Sequence, residues 1–584
     1  MTRLRAFHKV EAMTAQGITS RWQLRTAVGV VVAMALAASA RGSQAPDRPA
    51  AAGAALEAID SAAVAKIRDE ALNRSHVMDT VFWLSDRYGP RLNGSPEFEE
   101  AGDWAIKQMQ AWGVANVHKE RFPSGHGWSL VRFHATMTEP RVMPIIGLPK
   151  AWTPGLHGGT VIADVVRPVI ANEPDAARYK GKLRGKIVLT QTARGVRMLE
   201  QGDGTVLRYA DKDGKWIREA MTPPPPRAAV PTSAPAAAAP TVSATATAAA
   251  SRGATPRFNL MQFYKDEGVI AVFDRGPDSD LSAGGSDLSW LQQRVDGGTF
   301  VVMEGASARA DPASTLPQVT LAVEHYNRMV RLLAHDVPVK VELNIEAHFS
   351  QDTGANGFNI IGEIPGTDKA DEIVLLGAHF DSWHGATGAT DNASGSAAMM
   401  EVLRILKATG LRPRRTIRIG LWGSEESGQW NGLETGLIGS QTYARDHLGT
   451  RETPKPELAK LAAYFNLDNG TGPIRGVWTM RNPAVMPIFE AWSEAVTDLG
   501  VALISPRDVS QTDHVSFDRL GVPAFQFVQE RYEYNSRTHH TNMDVYDRIQ
   551  PDDLKQVAAV AAIFAWQAAT RDEMLPRRPA APAR

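Results

Sequence analysis

Residues 372–395 read EIVLLGAHFDSWHGATGATDNASG, and the architecture is written most plainly there. The segment opens as an unbroken apolar run from Ile373 to Ala378, the texture of a strand buried on both faces. The run ends in His379, with Asp381 two residues on and Asp391 twelve residues on. A helix-like run comes next from Gly395 to Thr409, with Asn392 and Ser394 placed to cap its start. From Gly357 onward, strand-like and helix-like runs alternate in the same way. That alternation predicts an α/β domain on a mainly parallel central sheet with flanking helices.

In such a sheet, ligands bind outside the carboxyl ends of the strands. The residues just past each apolar run therefore matter most. RTIRIGLWGS (415–424) runs into Glu425 and Glu426, and LAAYFNL (461–467) runs into Asp468. VPAFQFV (522–528) leads through a longer loop to His539 and His540. A single acid or imidazole at a strand end usually serves as a cap. Several strand ends that deliver imidazoles and carboxylates to one rim make a donor set that zinc accepts. With one carboxylate shared, such a rim holds two metals. Asp381 is close enough in sequence to fix the tautomer of His379. Glu425 and Glu426 would divide the labour between metal ligand and base for a water. Spacing alone leaves open which glutamate does which, and whether His539 or His540 is the ligand.

The composition narrows the alternatives. The 584 residues carry 63 Lys plus Arg and 64 Asp plus Glu, a formal net charge of −1, so electrostatics give no case for a nucleic-acid partner. The chain has no cysteine, which excludes disulfides, thiolate zinc sites, iron–sulfur clusters and cysteine nucleophiles. Any metal must be held by His, Asp and Glu. No apolar stretch reaches the length of a membrane span, so no stable membrane span is expected.

At the N-terminus, residues 1–40 read as an address. Arg21 and Arg25 precede the apolar run Ala27–Ala38, and Ala38-Ser39-Ala40 offers small residues at a cleavage site. These are the parts of a signal peptide for a secreted or periplasmic protein. Asp60 to Phe122 read as helical, interrupted by Gly89-Pro90 and a turn at Gly94-Ser95-Pro96. The zone 123–347 turns strand-rich, with GGTVIADVV, GKIVLTQ, VIAVFDRG and TFVVMEG as candidate strands. Inside it, 222–256 is almost wholly Pro, Ala, Thr and Ser and reads as a disordered low-complexity loop. Residues 573–584 read as a frayed tail. His384 reads as an exposed loop residue ahead of a ligand or substrate contact, Asp513-His514 equally as a catalytic or a structural pair near the pocket, and Tyr532 and Tyr534 as loop packing ahead of contact with the tetrahedral intermediate.

Five ordered segments, HFDSW (379–383), GATDNASG (388–395), GSEESG (423–428), NLDNGTG (466–472) and HHTNMD (539–544), resemble the metal-binding motifs of the dinuclear zinc exopeptidases. This is the family of aminopeptidases and glutamate carboxypeptidase-like peptidases. DRYGPRLNGSP (86–96) resembles the family's N-terminal segment, and TDHVSFDRLGVPAF (512–525) its late Asp-His segment. The resemblance implies the zinc exopeptidase fold, with 41–122 and 348–572 forming the peptidase domain and 123–347 an inserted β-rich protease-associated domain. It implies two Zn2+ ions. Asp391 would bridge them, His379 and Asp468 would complete one site, and Glu426 and His540 the other. His540 is chosen over His539 because His540-Thr541-Asn542-Met543-Asp544 fits the family's His-Thr-x-x-Asp pattern. Glu425 would be the general base, and Asp381 would support His379. The implied activity is a zinc metallopeptidase acting on terminal bonds of peptides. An aminopeptidase is expected first; a carboxypeptidase or dipeptidase on the same metals is the alternative, and a non-catalytic binding protein the remote one.

Overall fold

The computed structural model describes residues 57–156, 158–196, 222, 258–277, 294–427, 436–530 and 532–578. The expectations placed on 1–40, on 223–256 and on 579–584 lie outside the described residues. Strand β1 (Ala115–Phe122) comes first. The middle zone then supplies β2 (Trp128–Glu139), β3 (Met143–Pro144), β4 (Gly147–Pro149), β5 (Val161–Val166), β6 (Ile187–Leu189), β7 (Ala271–Asp274), β8 (Gln318–Leu321) and β9 (Lys340–Phe349). The rest are β10 (Gly357–Ile364), β11 (Lys369–His379), β12 (Arg415–Trp422), β13 (Leu461–Asn466), β14 (Ile474–Trp478), β15 (Leu503–Ser505) and β16 (Ala524–Gln529).

These strands form two eight-stranded sheets, ordered β1-β10-β12-β11-β13-β16-β14-β15 and β3-β2-β9-β5-β6-β7-β8-β4. The first sheet is mixed. Its centre, β12-β11-β13-β16, is parallel throughout. Toward the edges β10 runs antiparallel to β12, β1 to β10 and β14 to β16. The expected parallel sheet is thus the central block. The antiparallel neighbour has a simple cause: residues 365–368 between β10 and β11 are too few for a parallel crossover. Register keeps the carboxyl ends of the block level, with His379 opposite Trp422, Gly377 opposite Asn466, and Asn466 opposite Gln526.

Alternate residues of the central strands feed two cores. Val374, Leu376 and Ala378 join the larger one; Ile373 and Leu375 join Trp422, Tyr464 and Phe517 on the other face. The helix Ser394–Ala408 is buried from Ser394 to Leu406. It packs against β11 and against the C-terminal helix Pro551–Thr570, and its early run of small residues lets neighbours approach. Asn392 caps it by accepting a hydrogen bond from Gly395 N–H at 2.9 Å. Two N-terminal helices, Ser61–Asn73 and Pro96–Ala111, are capped by Asp60 and Ser95.

Four expectations need correction. The helical reading of 60–122 fails over Ala115–Phe122, an edge strand whose mostly polar sequence shows little apolar alternation and is set by pairing with β10. TFVVMEG forms no strand; Val301 and Glu304 make only isolated bridges, to Thr541 and Ala151. Of the expected frayed tail, residues 573–578 are docked. Leu575 joins the main core, and Arg578 donates to Met480 O at 2.8 Å. His384 is buried rather than exposed, because it packs edge-on against Trp128 and bonds Pro149 O at 2.7 Å. Among the described residues, no helix is long and apolar enough to cross a membrane.

Candidate metal centre

Each strand of the parallel block ends at the same rim, and the loops beyond carry the acids and imidazoles. His379 closes β11 and is 1% exposed. Its Nε2 lies 3.2 Å from Asp391 Oδ1 and 3.3 Å from Asp468 Oδ1. Its Nδ1 lies 3.0 Å from the main-chain oxygen of Asp381, which fixes the ring's orientation. The Asp381 carboxylate is farther from the ring, at 3.9 Å. It instead accepts the backbone N–H groups of Glu425 at 3.0 Å and Glu426 at 3.3 Å. The expected support of His379 by Asp381 is therefore supplied by its carbonyl, and the carboxylate holds the glutamate loop.

On the other side of Asp391, His540 Nε2 lies 3.4 Å from Asp391 Oδ2 and 2.7 Å from Glu426 Oε2. His539 stacks on His540 with ring centres 3.7 Å apart, and its Nε2 is 3.7 Å from Asp391 Oδ2. Two metal-competent groups result, His379–Asp391–Asp468 and Asp391–His539–His540, with ligand atoms within 4.8 Å in each. They share Asp391. The structure thus brings His379, Asp391, Glu426, Asp468 and His540 together, with Glu425 and Asp381 beside them. It keeps both histidines near Asp391, and among the described contacts the ion pair to Glu426 comes from His540.

The electrostatics suit cations. Burial pushes the Glu425 carboxyl well above its ordinary range, and Asp468, Asp513 and Glu426 add to the effect. Burial and Asp391 raise Glu426 to about 8. Asp513 rises to about 8, mainly by burial. At Asp391 burial is outweighed by the hydrogen bond to His379 and by the charge of His539, so its carboxyl falls below the usual range. At His379 burial is likewise outweighed, by Asp468 and Asp391, and its pKa stands well above the ordinary value. Two buried carboxylate oxygens, Asp391 Oδ2 and Glu426 Oε1, have no hydrogen-bond donor among the described residues. Donor types, crowding of negative charge and donor-free oxygens all fit a pair of zinc ions.

Surrounding groups that the strand-end logic missed hold this rim in place. Arg91 is fully buried, and its guanidinium donates to four main-chain oxygens: Phe380 at 2.8 Å, Leu84 at 2.6 Å, Thr387 at 3.2 Å and Gly388 at 3.0 Å. Burial lowers its pKa to about 10, against the pull of Asp544 and Asp381. Asp544 Oδ1 accepts Thr390 N–H at 2.5 Å and so anchors the turn before Asp391. The Asp391–Asn392 peptide is cis. Arg91 lies inside DRYGPRLNGSP but obeys no periodic pattern; only the family resemblance pointed there. Tyr534 is buried beside His539, ring centres 4.9 Å apart, whereas Tyr532 reaches away to Asp553 at 2.6 Å. His514 bonds Val509 O at 3.0 Å and belongs to the floor.

Residues 359–565 match the profile of peptidase family M28. Carboxypeptidase Q of Mus musculus is 25% identical over 508 residues, covering 86% of this chain and 87% of that protein. The leupeptin-inactivating enzyme 1 of Streptomyces exfoliatus is 32% identical over 173 residues, 29% of this chain and 35% of its own length. The aminopeptidase YwaD of Bacillus subtilis is 28% identical over 233 residues, 38% of this chain and 47% of that protein. Among solved structures, a peptidase M28 precursor from Shewanella amazonensis superposes with a TM-score of 0.57 at 24% identity, covering 89% of this chain and 99% of that one.

Proposed function

Residues 359–565 form a peptidase family M28 domain, and we propose that the chain built around it is a zinc-dependent exopeptidase holding two Zn2+ ions about Asp391. The observation that carries the proposal is the shared carboxylate. Asp391 Oδ1 faces His379 and Oδ2 faces His540, so one side chain serves two donor groups. His379 and Asp468 would hold one ion, Glu426 and His540 the other. His540 is preferred to His539 because it also reaches Glu426.

When bound, the zinc pair supplies Lewis-acid polarisation of the scissile carbonyl and lowers the pKa of an attacking water. Glu425 takes the proton from that water on a carboxylate oxygen and passes it to the leaving amine. Asp381 positions Glu425 and Glu426 together through their N–H groups, so base and ligand keep a fixed separation. Arg91 and Asp544 hold the turns that lead into Asp391.

The substrate is a peptide cut at a terminal bond. Aminopeptidase cleavage is the first reading, in line with the match to an aminopeptidase. Carboxypeptidase or dipeptidase cleavage is the second, favoured because carboxypeptidase Q aligns along 86% of the chain, a length that takes in the inserted sheet. The β2–β9 sheet is read as a protease-associated insertion that walls the site and limits substrate size. Export to the periplasm or medium is inferred from the basic flank and apolar run of residues 21–40. A panel of N-blocked and C-blocked peptides tests the function. Zinc-dependent hydrolysis of one blocked class but not the other identifies the terminus, and internal cleavage of peptides blocked at both ends defeats the exopeptidase reading.

A further inference from the structure

His540 sits with φ at +56°, in the left-handed region that side-chain-bearing residues rarely occupy. Such a conformation persists only where the surroundings impose it. Part of the surroundings here belongs to the inserted zone, beside Glu426, His539 and Trp383 of the peptidase part. Val302 N–H donates to His540 O at 3.2 Å. Thr541 makes an antiparallel bridge to Val301. Asn542 then closes the zip with three bonds. Its backbone N–H donates to Phe300 O at 3.3 Å, its side-chain Oδ1 accepts Phe300 N–H at 3.0 Å, and its Nδ2 donates to Gly298 O at 3.0 Å. Thr299, Phe300, Val301, Val302 and Thr541 are all at most 1% exposed. Gly385, in the loop beyond Asp381, completes the fit. A Cβ there would come within 2.8 Å of Val302 Cγ1.

We propose that Asn542 is a positioning residue, through which segment 298–302 of the insertion sets His540 and so the metal site formed with Glu426. This rests on the ligand assignment proposed above. The other site depends on His379 and Asp468, which leave the carboxyl ends of β11 and β13 and make no hydrogen bond with segment 298–302 among the described contacts. The two sites therefore differ in what supports them: one rests on the ends of β11 and β13, the other on the loop after β12 that carries Glu426 and on the junction with the insertion.

The test uses the full chain, loaded with zinc and stripped by a competing chelator, in wild type, Asn542→Leu and Asn542→Asp. Wild type is expected to release two equivalents. Asn542→Leu removes both side-chain bonds and should release one equivalent about 10–100-fold more readily while the other stays at its wild-type affinity. Asn542→Asp keeps an acceptor for Phe300 N–H, loses the donor to Gly298 and should fall between. It carries the test alone if Asn542→Leu does not fold. Two equivalents released as in wild type, or both weakened alike, overturn the proposal. A wild type that holds fewer than two equivalents overturns the ligand assignment, and the role of Asn542 with it.

Discussion

Replacing Arg91 by Met should cost the protein about 3 kcal/mol of stability and loosen the metal rim, although Arg91 is no ligand. The guanidinium serves the main-chain oxygens of Leu84, Phe380, Thr387 and Gly388. Of these, Gly388 O also accepts Ala393 N–H at 3.0 Å and keeps a partner in the variant. Three oxygens are left without that donor, those of Leu84 and Phe380 buried and that of Thr387 partly buried. A buried polar group left unsatisfied costs roughly 1–3 kcal/mol. Relaxation of the loops favours the low end, which gives about 3 kcal/mol for the three. Met fills much of the stem volume, so packing adds little. The assay is denaturant unfolding of the zinc-loaded protein, monitored by tryptophan fluorescence, with zinc release by chelator measured in parallel. Arg91→Lys retains the charge but not the fork and should recover only part of the loss. A loss below about 1 kcal/mol in Arg91→Met, with unchanged zinc release, would show that the turns at 380–388 are held by something else.

The same geometry sets further outcomes. Glu425→Gln should keep both zinc equivalents and lose about 10²–10⁴-fold in kcat, read by metal analysis beside peptide hydrolysis; retained turnover in a metal-replete variant refutes the base assignment. Chelator should abolish hydrolysis and added zinc restore it, whereas hydrolysis indifferent to chelator would point to a reaction without metal. His384 and His514 are buried and their pKa values are lowered to about 4, chiefly by burial. Both stay neutral in the fold while the unfolded chain takes up protons near pH 6.5. Stability should therefore fall as pH drops from about 6.5 to 4, by up to about 3 kcal/mol per histidine. His384→Asn should flatten that fall; an unchanged pH profile of the melting temperature would contradict the burial argument.

Much of the site was legible because strand ends are punctuated in the sequence. A buried parallel strand is a short apolar run, and the polar residue that stops it stands on the rim. This is how His379, Glu425, Glu426 and Asp468 were found, and the structure brings them together. The same logic was weaker for His539 and His540, which lie beyond a longer loop, so the choice between them rested on a family pattern. Other parts had no local signature. β1 is an edge strand whose pairing with β10 is a long-range event, and its mostly polar sequence looks like the end of a helical zone. TFVVMEG has the composition of a strand, yet its hydrogen bonds go to the His540 loop and to Ala151 instead of a sheet. Arg91 and Asn542 act through main-chain atoms far away in sequence, and no spacing rule announces such a bond. His384 looked like an ordinary loop residue because Trp128 and Pro149, which bury it, lie in the inserted zone.

Whether two ions share Asp391 can be read from diffraction data collected at the zinc edge on crystals of the zinc-loaded protein. Two anomalous peaks are expected to flank the Asp391 carboxylate, one against His379 and Asp468 and one against Glu426 and His540. A single peak, or a pair that leaves Asp391 out of contact with either ion, would overturn the shared-carboxylate centre and the mechanism built on it.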